Sequence, residues 1–327
     1  MVGETLVVDE FWWADEKLKE RLRRDPAGVL KERGTNVPAG VALSIIHEVI
    51  RIVSLLWLDG KIVPLEKFYI DPSDEGLLFG RGVWESTRTI GSIPWLWPLH
   101  IDRLRRTAAL LNIDVAPERL PDSQQVTDYV RSLSTQDVVV RLNATAGRPG
   151  KTGIVWMSAV LRPQPMASIR LRSHQLPVEK GQPYLTWKTF QYATRLQIGQ
   201  EAGQGGFDTA LLLDSKENLL EAAHANIFVR LQDGWSTPTA DGGLLPGTVR
   251  QHLLDHAPLP MRERTIPYAQ LAEVREAFLS NSNVGLVPIA QIDDHHFQTG
   301  GETLRLMNWL ESEPAAGTSL RVVGPSN

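Results

Sequence analysis

Apolar and polar positions alternate over short runs along most of this chain, and Asp-Gly and Pro-rich punctuation separates the runs. Leu56-Trp57-Leu58, then Asp59-Gly60, then Ile62-Val63 is the strand, turn, strand pattern of a hairpin. Further strand-like runs lie at 82–90, 137–145 and 153–161. Between them, Leu104, Ala108 and Leu111 form one apolar face of a helix over Arg103 to Leu111. Arg162-Pro163-Gln164-Pro165 reads as a linker, because closely spaced prolines stop both helix and ladder. Strand-like Ile169–Leu171 follows, then a helical run through Ile198 and Ala202, then strands at 209–213 and 227–231. A second Asp-Gly turn at Asp233-Gly234, a helix from Thr248 and a strand at 277–279 complete the body. Strands and helices alternate without a Gly-x-Gly-x-x-Gly start, which predicts an α+β architecture of mixed sheets and not a dinucleotide fold.

The N-terminal part follows a different pattern. Residues 14–33 carry dense charge of mixed sign (Asp15, Glu16, Lys17, Lys19, Glu20, Arg21), the mark of a solvated helix, and Pro38-Ala39-Gly40 ends it. The apolar stretch from Val41 to Leu58 is interrupted by His47, Glu48 and Arg51. It therefore reads as amphipathic and not as a membrane span. We expect residues 1–52 to be an N-terminal extension, 53–162 a small domain, 163–167 a linker and 168–327 a large domain.

Composition narrows the function. The chain has 327 residues, 42% hydrophobic and 22% charged, which suits an ordinary soluble protein of two domains. A formal charge of −4 offers no electrostatic footprint for nucleic acid. The absence of cysteine excludes disulfides, a thiol nucleophile and Cys-based metal sites. The acidic, aromatic start (Glu4, Asp9, Glu10, Trp12, Trp13) is unlike a signal peptide, so the expected location is the cytoplasm, with no membrane and no metal.

Two ionisable residues stand out from this background. Lys188 lies in apolar and aromatic company, Tyr184-Leu185-Thr186-Trp187-Lys188-Thr189-Phe190. Glu221 closes one strand-like run just before Asn226-Ile227-Phe228. Such groups are costly unless paired, neutral or covalently used. Together they suggest a Schiff-base lysine and an acidic partner for a pyridine nitrogen.

Flanking motifs complete the pattern in chain order. Phe79-Gly80-Arg81-Gly82-Val83-Trp84-Glu85 precedes His100-Ile101-Asp102-Arg103, then Lys188 with Tyr192, then Glu221 with Asn226-Ile227-Phe228. Leu245-Pro246-Gly247-Thr248-Val249 and Ser280-Asn281-Ser282-Asn283 close the series. From Trp57 to Pro288 this order resembles the class IV, or fold-type IV, pyridoxal-phosphate aminotransferases. That family includes branched-chain aminotransferases, D-amino-acid transaminases, R-selective amine transaminases and aminodeoxychorismate lyase.

The resemblance implies a smaller N-terminal α/β domain, a larger C-terminal β-barrel-like domain, pyridoxal 5'-phosphate between them, and a homodimer. It implies Lys188 as Schiff-base lysine and proton carrier, Glu221 as ring-nitrogen partner and Tyr192 as partner of the ring hydroxyl. If the segment is helical, four residues return Tyr192 to the side of Lys188. Arg103 would hold phosphate by charge-assisted donors. Gly247, Thr248 and Val249 would add helix N-terminal amides, and Ser282 a further ligand.

Several positions depart from the family pattern. Trp84 replaces a Phe or Tyr, Ala222-Ala223-His224 replaces a glycine-led run, and Val249 replaces a frequent threonine. Thr145-Ala146-Gly147 lacks the arginine of the family's Thr-Arg-Gly. For the substrate side this leaves Trp84 and the cations Arg88, Arg141, Arg148 and Lys151. The expected activity is transfer of an amino group from an amino acid or amine to a 2-oxo acid. The alternatives are a lyase acting on aminodeoxychorismate with the same cofactor, and a cofactor-binding or structural homologue without turnover.

Overall fold

The computed structural model describes Asp25 and residues 55–313, apart from 134–135, 164–165, 178–181 and 242. The expected extension over 1–52, with its charged helix, lies outside the described residues except for Asp25. So does the centre of the expected linker.

Six strands form one antiparallel sheet: β1 (Leu55–Leu58), β2 (Lys61–Pro64), β3 (Gly82–Ile90), β4 (Ile93–Pro94), β5 (Val138–Thr145) and β6 (Val155–Leu161). Their order is β2-β1-β6-β5-β3-β4. The first hairpin turns where expected. Asp59 and Gly60 both take positive φ (44° and 88°), as the tight two-residue turn requires, and Leu58 pairs with Lys61. Helices α1 (Glu75–Phe79), α2 (Trp97–Leu110) and α3 (Ser123–Leu133) accompany this sheet. The expected helix from Arg103 in fact starts at Trp97, because Pro98 sits in its first turn, where no intrahelical donor is needed. Leu104, Tyr129, Val140, Leu142 and Met157 fill the core between sheet and helices.

The remaining strands make a mixed sheet. They are β7 (Ile169–Gln175), β8 (Thr209–Leu213), β9 (Leu219–Ala222), β10 (Asn226–Leu231), β11 (Gly234–Thr237), β12 (Met261–Glu263), β13 (Glu276–Asn281), β14 (Gly285–Ile292) and β15 (His295–His296). The order is β12-β11-β10-β13-β14-β7-β8-β9, with β15 on β14. β7 runs parallel to β8 and β14, and α4 (Ala193–Gln204) makes the crossover between β7 and β8. Helices α5 (Thr248–His256) and α6 (Gly301–Ser312) follow.

One cluster holds Leu171, Leu211, Leu219, Ile227, Leu279 and Ile289, from strands across the whole sheet, so the sheet must curl around it. On β10 alternate residues serve opposite faces. Ile227 and Val229 enter that interior, while Phe228 packs outside with Trp235, Leu253, Phe278 and Leu306 beneath α5 and α6. With both faces covered, the strand reads as a continuous apolar run and not as an alternation. Trp95 and Leu96, from the first sheet's end, join this outer cluster and tie the two sheets together. The α+β class expected from the sequence is the one found. Among the described residues, no helix is long and apolar enough to cross a membrane.

Candidate active site

Lys188 is held by an extended segment laid along β3. The Trp84 N–H donates to the Lys188 carbonyl (3.2 Å), the Phe190 N–H to the Gly82 carbonyl (3.0 Å), and the Trp84 indole N–H to the Thr189 carbonyl (2.9 Å). The segment from Lys188 to Tyr192 is therefore not helical, which corrects the spacing argument for Tyr192. The chain instead turns at Phe190, where the Tyr192 N–H reaches the Phe190 carbonyl, and α4 begins at Ala193. Tyr192 still arrives beside the lysine, because its ring meets the Trp84 edge at 5.4 Å while Lys188 Nζ lies 3.7 Å from the centre of the same indole. Burial and the nearby Arg103 charge lower the Lys188 amine to about 7, against the smaller opposing pull of Glu85.

A cavity of about 1170 Å³ opens in front of this amine, where the two sheets meet. Glu221 lines it from β9, only 3% exposed. Its Oε1 accepts from Arg195 Nη2 (2.6 Å) and the Leu245 N–H (3.0 Å), and Oε2 accepts from Asn226 Nδ2 (3.1 Å). Each carboxylate oxygen has two lone pairs, so Oε1 is satisfied and Oε2 retains one acceptor site. Arg195 escaped the sequence reading. It sits in the first turn of α4, and nothing local tells it from a surface arginine. Tyr192 Oη lies 2.7 Å from His224 Nδ1 and 3.0 Å from the Ala223 carbonyl, all on the cavity wall.

Arg103 on α2 is buried against Glu85 of β3, with Nε to Oε1 at 2.7 Å and Nη2 to Oε2 at 2.6 Å. Its Nη1 donates to the Pro246 carbonyl at 2.9 Å. Three of a guanidinium's five N–H donors are thus engaged, and Arg103 also lines the cavity. Burial pushes the Glu85 carboxyl up, but the charge and hydrogen bonds of Arg103 and His100 outweigh it and bring it to about 2. His100 links the ensemble to α5, with Nδ1 2.7 Å from Glu85 Oε2 and Nε2 3.1 Å from Thr248 Oγ1. Gly247 caps α5 with no side chain, and the first N–H groups of that helix have no intrahelical acceptor. A Cβ on Gly247 would stand 2.1 Å from Asn226 Oδ1, so only glycine allows this approach. Ser282 lines the same wall, but its hydroxyl donates to the Ser86 carbonyl at 2.6 Å. Ser280 Oγ, which the sequence reading passed over, is buried with no hydrogen-bond partner among the described residues and lines the cavity too. An amine, a carboxylate with a spare acceptor site, and an arginine beside an uncapped helix N-terminus suit an aldehyde, a ring nitrogen and a phosphate. The residues fit pyridoxal phosphate.

Of the cations considered for the substrate, one reaches the cavity. Arg141 on β5 stacks its guanidinium 3.9 Å over the Trp84 ring, the ring that also faces Lys188. Arg88 shares the strand face of Trp84 and Ser86, yet the chain at 282–284 closes over it. Its N–H meets the Ser282 carbonyl, and its Nη1 donates to the Val284 carbonyl (3.1 Å) and Glu311 Oε1 (2.7 Å). Arg88 is therefore fully buried and outside the cavity lining. Lys151 lies exposed in a turn bridged to Arg148, and Arg148 pairs with Asp71 at 3.2 Å; neither lines the cavity.

The chain is similar to proteins of known family. The family described as amino-transferase class IV matches residues 82–292. A Methanocaldococcus jannaschii protein assigned as a branched-chain-amino-acid aminotransferase is 26% identical over 254 residues, 73% of this chain and 88% of its own. Aminodeoxychorismate lyase of Bacillus subtilis is 23% identical over 278 residues, 79% of this chain and 94% of its own. Among solved structures, a branched-chain aminotransferase from Thermoproteus uzoniensis superposes with a TM-score of 0.68 at 22% identity. That alignment covers 79% of this chain and 93% of the other. With a family match over most of the chain and a cavity that suits its cofactor, the protein belongs to the class IV aminotransferases, pyridoxal-phosphate-dependent enzymes of transamination.

Proposed function

We propose that this chain transfers an amino group from a carboxylate-bearing amino donor to a 2-oxo acid, with Lys188 as the residue that holds the cofactor and carries the proton. The observation behind this is the shared indole of Trp84, which brings Lys188 Nζ and the Arg141 guanidinium to the cavity that Glu221 also lines. Pyridoxal phosphate supplies an electron-accepting ring when bound. Lys188, with an amine near 7, takes and returns a proton at Nζ under neutral conditions. Glu221 would hold the ring nitrogen through its remaining acceptor site and favour the protonated ring. Tyr192 would be the partner of the ring hydroxyl. Arg103 and the amides of Thr248 and Val249 after Gly247 would hold phosphate, and Ser282 would join them once its hydroxyl turned from the Ser86 carbonyl. Arg141 binds the donor's carboxylate, and Trp84 packs beneath it.

The division of strands between two sheets supports reading 53–162 and 168–327 as two domains, with the cofactor between them. Exposed Leu77, Leu78 and Phe79 on α1 (60%, 54% and 65%) support a homodimer, which light scattering would test. We place the enzyme in the cytoplasm.

The decisive experiment loads the purified protein with pyridoxal phosphate and follows a donor panel by absorbance. D- and L-alanine, branched-chain amino acids and R-phenylethylamine should be compared. Amino acids should convert the cofactor, and Lys188→Ala should lose the lysine-bound absorbance. A chromophore surviving in Lys188→Ala would overturn the lysine assignment. Pyruvate release from aminodeoxychorismate without a 2-oxo acid would replace transaminase by lyase. Absence of any borohydride-reducible adduct in the unmodified protein would leave a homologue without turnover. If Arg141 is the carboxylate clamp, Arg141→Leu should raise KM for amino acids about tenfold or more and leave amines unaffected.

A further inference from the structure

His224 has no task in the reading above, yet its Nδ1 sits 2.7 Å from the Tyr192 hydroxyl, with the two rings 5.4 Å apart. It occupies the turn between β9 and β10, two residues past Ala222, so the same turn that follows Glu221 sets its position. The proton count at this contact is restrictive. A phenol has a single proton, and the Ala223 carbonyl, 3.0 Å from Tyr192 Oη, can only accept. If the tyrosine gives its proton to His224 or to Ala223, it has none to offer the cavity. If His224 carries its proton on Nδ1, it donates to Oη, and the tyrosine's proton is released for another acceptor. The Ala223 carbonyl does not need that proton, because Arg195 Nη1 reaches it at 3.4 Å.

The surroundings keep the imidazole neutral. Burial, then the charges of Arg195 and Lys188, push it down to about 4, so near pH 7 it holds one proton to place on either nitrogen. Glu221, ion-paired to Arg195 at 2.6 Å, is the acidic group facing this cluster. Arg103, Glu85, Arg141 and Glu221 all act on the nearby Lys188.

We propose that His224 is a positioning residue that donates from Nδ1 to Tyr192, directs the tyrosine's proton onto the ring hydroxyl oxygen of pyridoxal phosphate, and so sets the charge of the lysine–cofactor linkage. This rests on Tyr192 as the partner of that oxygen. A donor on the oxygen draws off negative charge that otherwise holds the linkage's proton, so the linkage loses its proton at lower pH.

The test is a spectroscopic pH titration of the loaded protein, independent of turnover. His224→Leu should raise the midpoint by about one unit, while His224→Asn, whose Nδ2 can donate from nearly the same place, should stay within about 0.3 units of the parent. In a Tyr192→Phe background, His224→Leu should add no shift. In loaded protein with ¹⁵N-labelled histidine, the His224 resonances should show protonated Nδ1. An unmoved midpoint in His224→Leu, equal shifts for Leu and Asn, a shift that persists without the tyrosine hydroxyl, or a proton on Nε2 would each overturn the proposal. Borohydride reduction separates the two levels. A pyridoxyl group on Lys188 with an unmoved midpoint sinks the role of His224 alone, whereas no pyridoxyl group on Lys188 sinks the reading it rests on as well.

Discussion

Lys188 faces an indole and two arginines, and its charge state follows from that company. The amine must lose its proton before it can attack an aldehyde, so capture of pyridoxal phosphate by cofactor-free protein should quicken as pH rises through about 7. An ordinary lysine would place that midpoint near 10.4, so a rate that rises only above about pH 9 would contradict the assignment. Glu221 is a second residue whose task can be isolated. Glu221→Gln should leave the cofactor bound, as seen by absorbance, while turnover falls about a hundredfold because the ring nitrogen loses its charged partner. Unchanged turnover would remove the carboxylate from the mechanism. Both residues were legible in the sequence as costly ionisable groups in apolar runs. Arg195 was not legible as a site residue, because it breaks no local pattern, and His224 stood out only as a departure from a glycine-led run, which favoured a structural role. Each gains meaning only from a partner 26 or 32 positions away.

Among elements, the start of α5 shows how a turn becomes a binding surface. Gly247 lets the chain pass against Asn226, whose Nδ2 is fixed between Glu221 and the Leu245 carbonyl (2.8 Å) and cannot easily give way. Gly247→Ala should therefore displace the first turn of α5 and weaken cofactor binding about tenfold or more, in line with overpacking costs of about 1–3 kcal/mol. Equilibrium dialysis would measure it, and unaltered affinity would mean that this turn does not hold the phosphate. The β1–β2 hairpin, the strands at 82–90 and 209–213 and the helix from Thr248 were legible for a local reason. Asp-Gly turns, alternation and a glycine before a helix act within a few residues. The Lys188–Tyr192 segment misled because a spacing of four suits a helix, while its actual geometry comes from hydrogen bonds to β3, about a hundred positions earlier.

Across the whole molecule, the two sheets are joined beneath the cavity by Arg88. This guanidinium reaches from β3 of the first sheet to Glu311 on α6 and lies 4.3 Å over Trp95. Burial, followed by the Arg162 charge, lowers Arg88 to about 10, and its Nε and Nη2 have no hydrogen-bond partner among the described residues. Glu311→Ala would leave the buried cation without its carboxylate. Because Glu311 is half exposed, the loss should be discounted to about 1–2 kcal/mol, or a fall in Tm of about 2–6 °C. Thermal unfolding would check it, and an unchanged Tm would show that the tie carries no net stability.

By itself the sequence determined the α+β class, most strands and helices, and the kinds of chemistry present in chain order, since these depend on local turn chemistry, periodicity and residue type. It did not determine which of the candidate cations reach the cavity. Alternation puts Trp84, Ser86 and Arg88 on one face of β3, but the β13–β14 connection covers Arg88, while Arg141 on the neighbouring strand remains open to the cavity. Lys188, Glu221, Arg103 and Tyr192 became one site only when two sheets met. Burial and charge pairing, which set the state of each group, are properties of that meeting and not of any segment alone.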